Sequence, residues 1–220
     1  LYSDTRSPIK ILVKVFDAVI VPILTYCGDI WGQDLLHNNR NFTADFIDDK
    51  SKIEVIHMRF CKRILKVPQI TSNIAIRSEL GRLPIINKLL QQIISYYARL
   101  ESMNENRLAK TIYHETKNNQ FSIYKIANHY NETVALNTDN VNFRENKQKK
   151  HYIQTFKDTF LTHTEEEWYK RLNSEKGVST ERNKLRLYCK IKHSLSLENY
   201  LIQTQNLKAR QSLTKIRTSA

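Results

Sequence analysis

The sequence predicts an all-α fold: a multi-helix, bundle-like array joined by polar loops, with no substantial sheet. Three observations carry that expectation. The 220 residues include only four glycines and four prolines, too few turn residues for a many-stranded sandwich or barrel. Apolar residues recur at three- and four-residue steps in one segment after another. At Ser51-x-x-Glu54 and Thr164-x-x-Glu167 a Ser or Thr stands three residues ahead of a Glu, the capping-box pattern that opens a helix. Hydrophobic residues make up 40% of the chain and aromatics 10%, which supplies a core and excludes a wholly disordered polymer.

Ser7-Pro8 opens the first helix, with Ser7 as N-cap and Pro8 at the first helical position. Ile9, Leu12, Val13, Val15, Phe16, Val19, Ile20, Ile23 and Leu24 make it apolar on nearly every side, so it is expected in a core. Lys10, Lys14 and Asp17 interrupt the run and argue against a membrane span. Pro22 should bend or end the helix locally. Gly28 and Gly32 flank Trp31 and suggest close backbone packing. Residues 33–50 read as a polar loop. Ser51-x-x-Glu54 caps the next helix, with Ile53, Ile56, Phe60 and Ile64 as its apolar stripe. Arg59, Lys62, Arg63 and Lys66 are expected on its other side, and Pro68 stops it. A short helix follows over about 72–80, closed by Gly81. From Pro84 a long one carries Ile85, Leu89, Ile93, Ile94, Tyr97 and Leu100. Shorter helices are expected over 107–115 and 121–136. Tyr152, Phe156 and Phe160 mark another, and Thr164-x-x-Glu167 caps a separate helix that ends at Gly177. In linear terms the chain divides into 1–115, 116–146 (a helix plus a polar linker) and a basic helical region at 147–220.

Charge is the strongest bulk signal. Lys and Arg number 35 against 22 Asp and Glu, a formal net charge of +13. That balance favours a polyanionic partner, either nucleic acid or an anionic surface; a merely well-solvated basic protein is the alternative. Cys27, Cys61 and Cys189 are odd in number and widely spaced, which reads as reduced thiols in an intracellular setting. The sequons at Asn41 and Asn131 carry little weight. The start at Leu1, without a secretory signal pattern, reads as one cut end of something longer.

Candidate chemistry is sparse. Phe46-Ile47-Asp48-Asp49 spells an aromatic-x-Asp-Asp string, but a catalytic Asp pair needs a third carboxylate and a tight hairpin between apolar strands. His57-x-x-x-Cys61 and Cys189-x-x-x-His193 each set two zinc-competent groups one helical turn apart; a buried thiol is the plainer reading of Cys61. No phosphate loop, nucleophile elbow or His-Glu-x-x-His occurs. We therefore expect no catalytic residue, no metal ligand and no cofactor in this chain. Basic residues interleaved with apolar ones are more informative. Residues 182–220 carry nine Lys or Arg against one acid, Glu198. Lys184, Arg186, Lys190 and Lys192 surround Leu185, Tyr188 and Ile191, and Lys208, Arg210, Lys215 and Arg217 surround Leu207, Leu213 and Ile216. With the apolar residues inward and the cations outward, such faces can line a phosphate backbone without reading bases.

An ordered series of motifs resembles one family. Phe16 through Gly32, an apolar helix with Pro22 and then Tyr26-Cys27-Gly28-Asp29-Ile30-Trp31-Gly32, is similar to the segment downstream of the palm in non-LTR (LINE-type) retrotransposon reverse transcriptases. Cys27 ahead of the glycine is a small departure from the usual wording. The likeness continues through Ile53-Glu54-x-x-His57-x-x-Phe60-Cys61-Lys62-Arg63-Ile64-Leu65 and Thr71-Ser72-Asn73-x-Ala75-x-x-x-Glu79-Leu80-Gly81-Arg82-x-Pro84. Arg186-x-Tyr188, Tyr200-Leu201 and Arg210-x-x-Leu213-Thr214-Lys215-Ile216-Arg217-x-Ser219 resemble the downstream tail of such elements. It is dense over about 16–100 and 182–220 and loose between.

The resemblance implies that residues 9–100 hold the thumb, which makes 1–115 the thumb-like region. It also implies that the catalytic Asp pair precedes this chain, so Phe46-Ile47-Asp48-Asp49 is a decoy. The Mg²⁺ of the parent polymerase would belong to that missing palm. Expected partners are RNA or an RNA–DNA duplex and the parent's palm and fingers, with no membrane and no small-molecule substrate. The implied location is nucleus and cytoplasm, as a ribonucleoprotein. Arg59, Lys62, Arg63, Lys66 and Arg82 are the candidate thumb contacts. Lys184, Arg186, Lys190, Lys192, Arg210, Lys215 and Arg217 are those of the tail. A structural connector docking on the palm, or a domesticated host protein, would carry the same motifs.

Overall fold

The computed structural model describes residues 8–38, 51–119, 122–138, 141–174, 185, 188–204 and 206–218. Along the chain the helices are α1 (Ile9–Val15), a π turn (Phe16–Ile20), α2 (Val21–Leu24), α3 (Gly28–Asn38), α4 (Lys52–Leu65) and α5 (Asn73–Leu80). Then come α6 (Ile86–Glu101), α7 (Leu108–Thr116), α8 (Ile123–Thr133), α9 (Asn146–Ser174), α10 (Tyr188–Ile191), α11 (Asn199–Gln203) and α12 (Leu207–Thr218). The described residues contain no strand, and the fold is all-α.

Local chemistry accounts for the breaks. Pro22 has no N–H to offer the carbonyl four residues back, and its ring clashes with that carbonyl. The chain answers with the π turn just before it, in which Val21 N–H reaches back five residues to Phe16 O. Ser51 Oγ accepts from Glu54 N at 3.3 Å and caps α4. Lys66 (φ 56°) and Gly81 (φ 60°) end α4 and α5 in the left-handed conformation, and backbone N–H groups there close on Arg63 O and Ser78 O.

The residues group into two units, each built from non-consecutive stretches. One takes the described residues of 1–24, 47–85 and 166–220. Its core joins Ile9, Phe16 and Val21 with Phe60, Ile64 and Leu65 of α4 and with Ile74, Ala75 and Ile76 of α5. Phe16 stacks on Phe60 at 4.0 Å between ring centroids. A second cluster gathers Ile74, Ala75, Trp168, Leu172, Leu185, Tyr188 and Cys189. In it, Trp168 Nε1 donates to Ser78 Oγ at 2.7 Å and Tyr188 Oη donates to Ala75 O at 3.3 Å.

The other unit takes the described residues of 25–46 and 86–165. Its centre is α6, whose Leu89, Leu90, Ile93, Ile94, Tyr97 and Leu100 are all buried. Each such burial stabilises by roughly 1.5–3 kcal/mol. The helix α3 lies close on α6 because Gly28 and Gly32, one turn apart, face it. A Cβ on Gly28 would stand 2.3 Å from Leu89 Cδ2. Tyr130 of α8 and Phe156 and Phe160 of α9 fill the rest, with Phe156 stacked on Phe160.

Several sequence expectations are corrected. The helix at 9–24 is not buried all round: Ile11, Val15, Val19 and Ile23 are exposed, Ile23 to 68%. The segment 33–38 is helical, not loop, because Leu36 supplies one more buried residue to α3. Ile56 leaves the apolar stripe of α4 and is 42% exposed, while Glu54, His57 and Cys61 are buried in it. Thr164 caps nothing. It lies inside one continuous α9, where its hydroxyl donates to Phe160 O at 2.8 Å and accepts from Asn87 Nδ2. Ser7, Gly177 and Phe46-Ile47-Asp48-Asp49 lie outside the described residues.

Candidate nucleic-acid interface

Helix α4 has two chemically distinct faces. Its outer face carries Arg59, Arg63 and Lys66 at steps of four and three residues, all exposed. Lys52, the residue after the N-cap, stands on the same exposed side. These side chains present a row of guanidinium and ammonium groups, the geometry that follows a phosphate backbone without base readout.

The inner face is polar at its centre, which the capping-box reading of Glu54 did not show. Glu54 is buried, and its Oε2 accepts from Arg77 Nη2 at 2.9 Å and lies 3.2 Å from His57 Nδ1. Burial pushes its carboxyl up, but the Arg77 charge and the His57 hydrogen bond outweigh that and bring it down to about 2. Arg82 grips Asp17 with both Nη atoms, at 2.6 and 2.7 Å, and its Nε donates to His57 Nε2 at 3.2 Å. A donor at Nε2 fixes the tautomer: Nε2 accepts, so the proton sits on Nδ1 and points at Glu54. Burial, with Arg77 and Arg82 nearby, keeps this imidazole neutral and its pKa below the ordinary value. The network ties the π turn, α4 and α5 together.

Three expected contacts are therefore internal. Arg82 belongs to the Asp17–His57 bridge. Lys62 is 6% exposed and donates to Gln69 O at 2.6 Å, so it does not share the outer face with Arg59. Lys192 is 1% exposed, donates to Ser196 O at 2.8 Å and pairs with Glu198.

The rest of the tail divides in the same way. Arg210 is buried, and Arg217 pairs with Glu79 and Glu198, each at 3.0 Å. Lys190, Lys208 and Lys215 are exposed. Lys184 and Arg186 lie outside the described residues. The outward-cation reading failed at Lys192 because Glu198 six residues on claims it, at Arg217 because Glu79 far off in sequence does, and at Arg210 because the fold buries it. Glu79 gave no signal of this in a linear reading, since it lies 138 residues from Arg217.

The cysteine and histidine pairs hold other contacts. Cys61 is fully buried and its thiol is pushed up to about 12, chiefly by burial. Cys189 Sγ donates to Leu172 O at 2.8 Å. Among the described residues no three His, Cys, Asp or Glu gather as a metal site, and no single helix is long and apolar enough to cross a membrane.

Comparison with protein-family models, curated proteins and solved structures finds no match to this chain.

Proposed function

We propose that this chain is the thumb and following helical region of a non-LTR retrotransposon reverse transcriptase, and that it binds RNA or an RNA–DNA duplex by its backbone without catalysing polymerisation. The motif series from Phe16 to Ser219 suggests the family. The observation that supports the binding role is the exposed row of Arg59, Arg63 and Lys66 on a helix whose other face is locked into the core. A rigid helix presenting cations at fixed spacing loses little backbone freedom on meeting a phosphate ladder. Lys190, Lys208 and Lys215 are further exposed cations of the same unit.

Salt-dependent gel shifts of the chain with an RNA–DNA duplex test this. Binding should weaken steeply with salt, and the combined Arg59→Glu, Arg63→Glu, Lys66→Glu variant should lose most of it. Salt-independent binding, or an unchanged affinity of that variant, overturns the role.

A second reading is favoured by a different observation. Ile11, Val15, Val19 and Ile23 recur every fourth residue and are exposed. Apolar surface repeated in this way marks an interaction face. In this reading the segment is a connector that docks on the parent's palm, and the charge keeps it soluble. Duplex affinity that stays negligible at low salt would favour the connector.

A further inference from the structure

The second unit holds a pocket whose cations lie outside the motif series. Lys88, Gln92, Ser95 and Arg99 follow one another at steps of four, three and four residues along α6, so they share one face. The opposite face of α6 is the buried one. Lys157 of α9 and Asp29 in the first turn of α3 complete a cavity of about 450 Å³, with the ring of Tyr96 in its wall. That volume lies in the range of small-ligand sites.

What distinguishes its cations is that they line one concavity. Arg77, Arg82, Lys110, Lys192 and Arg217 each meet a carboxylate. Lys88, Arg99 and Lys157 pair with no carboxylate among the described residues, yet they converge on one concavity that holds a single acid, Asp29. Lys88 and Arg99 stand eleven residues apart on α6, about 16 Å along its axis, so the cations line an elongated concavity that suits successive phosphates of a strand. Arg99 offers a planar fork that suits phosphate oxygens, and the two lysines add mobile point charges. Asp29 accepts from hydroxyl or amine donors, which the sugar and base of a nucleotide supply. Gln92 provides an amide that donates and accepts, and Tyr96 a face on which a base stacks.

We propose that this pocket binds a short stretch of single-stranded nucleic acid: successive phosphates along Lys88, Lys157 and Arg99, a sugar hydroxyl or exocyclic amine on Asp29, and a base on Tyr96. The proposal does not rest on the polymerase reading. The two sites lie in different units and call for different nucleic acids, single strand here and duplex at α4.

The test uses the whole chain and a fluorescein-labelled hexauridylate, read by anisotropy, with AMP and inorganic phosphate as competitors. Lys88 and Arg99 are exposed and Lys157 is half-exposed, so the Lys88→Glu, Arg99→Glu, Lys157→Glu variant should fold, as circular dichroism will check. It should lose hexauridylate affinity about tenfold or more near 0.1 M salt and flatten the salt slope by roughly two units. Tyr96→Ala should cost about fivefold or more. AMP should compete weakly, and inorganic phosphate more weakly still. The α4 variant should bind hexauridylate within about twofold of the parent.

A folded triple variant that binds like the parent overturns the proposal, as does a parent chain that does not bind hexauridylate at all. AMP binding as tightly as hexauridylate removes the strand from it, and phosphate competing as well as AMP removes the nucleotide. Should the triple variant not fold, Lys157→Gln decides: about threefold weaker binding is expected, and unchanged binding overturns the assignment.

Discussion

Arg217 Nε donates to the carboxylate of Glu79 at 3.0 Å, and this one contact explains why much of the basic tail faces inward. Glu79 is fully buried on α5. Its other oxygen accepts from Tyr200 Oη at 2.6 Å, and its backbone carbonyl accepts from Glu198 N at 3.0 Å. Burial, together with the Glu79 charge, holds the Tyr200 phenol well above its ordinary pKa, so it remains a donor. Glu198 then holds Lys192 and the far side of Arg217. Removing Glu79 leaves Arg217 Nε without its acceptor and Tyr200 Oη with Thr214 Oγ1 alone. Glu79→Ala should lower stability by about 3 kcal/mol in urea unfolding. Limited proteolysis should then cut first between residues 190 and 218.

The Glu54–His57 network makes stability depend on pH with a defined sign. Both groups have folded pKa values below their unfolded ones, His57 because it is buried neutral beside Arg77 and Arg82, Glu54 because Arg77 and His57 hold its charge. In each case the unfolded chain binds the proton first. Stability is therefore complete above about pH 6.5 and falls as pH drops, first through His57 and then, between about 4.5 and about 2, through Glu54. Protonating His57 would also set an Nε2–H against the Arg82 donor. In urea titrations from pH 7.5 to 4, His57→Gln should flatten the upper part of this decline. An unchanged slope would show that His57 titrates alike in both states.

How much of this was legible in the sequence depends on the range of the interaction. Two helix ends were, because caps are local: Ser51 and Gly81 act within a few residues of themselves, whereas the pattern at Thr164 falls inside α9. The apolar periodicity of α6 was, because one face of six residues is buried as its spacing requires. What failed was the fate of single charged residues. Lys62 and Arg59 lie three residues apart in the same basic run, yet one is buried and the other exposed. The acids that claim Arg82, Lys192 and Arg217 come from other helices. The linear reading of 9–24 failed for the converse reason: an apolar sequence permits burial on every side but does not supply the neighbours.

Gly28 and Gly32 should respond oppositely to the same substitution. A methyl group on Gly28 would meet Leu89 Cδ2 at 2.3 Å and Gln92 Oε1 at 2.6 Å, so α3 must shift or Leu89 must leave its rotamer. Gly28→Ala should cost about 1–3 kcal/mol. At Gly32 the nearest atoms stand at 3.5 Å or more, ordinary contact distance. Gly32→Ala should be neutral or stabilise by up to about 1 kcal/mol, since alanine favours the helix. Thermal unfolding of the two variants measures the contrast, and equal effects would contradict this close approach of α3 and α6.

Gly81 is a stricter case. Its φ of +60° disfavours any side chain, and a Cβ there would lie 2.6 Å from Leu197 N and 2.7 Å from Ser196 C, both backbone atoms. Neither can move without displacing the segment that carries Glu198. Gly81→Ala should therefore lower stability by more than about 2 kcal/mol, and the loss should overlap with that of Glu79→Ala in the double variant.

Arg59 and Arg82 separate binding from structure within one unit. Both are arginines that the sequence offers as nucleic-acid contacts, but Arg59 is exposed and Arg82 bridges Asp17 and His57. Arg59→Ala removes one outward cation. It should lower the slope of log affinity against log salt for an RNA–DNA duplex by about one unit and leave the melting temperature within a degree or so. Arg82→Ala breaks a bidentate ion pair and leaves His57 Nε2 without its donor. It should lower stability by roughly 2–4 kcal/mol and leave the salt slope as it was, provided binding is measured well below the melting temperature. If instead both substitutions change the slope equally, Arg82 reaches the nucleic acid and the bridge to Asp17 opens on binding.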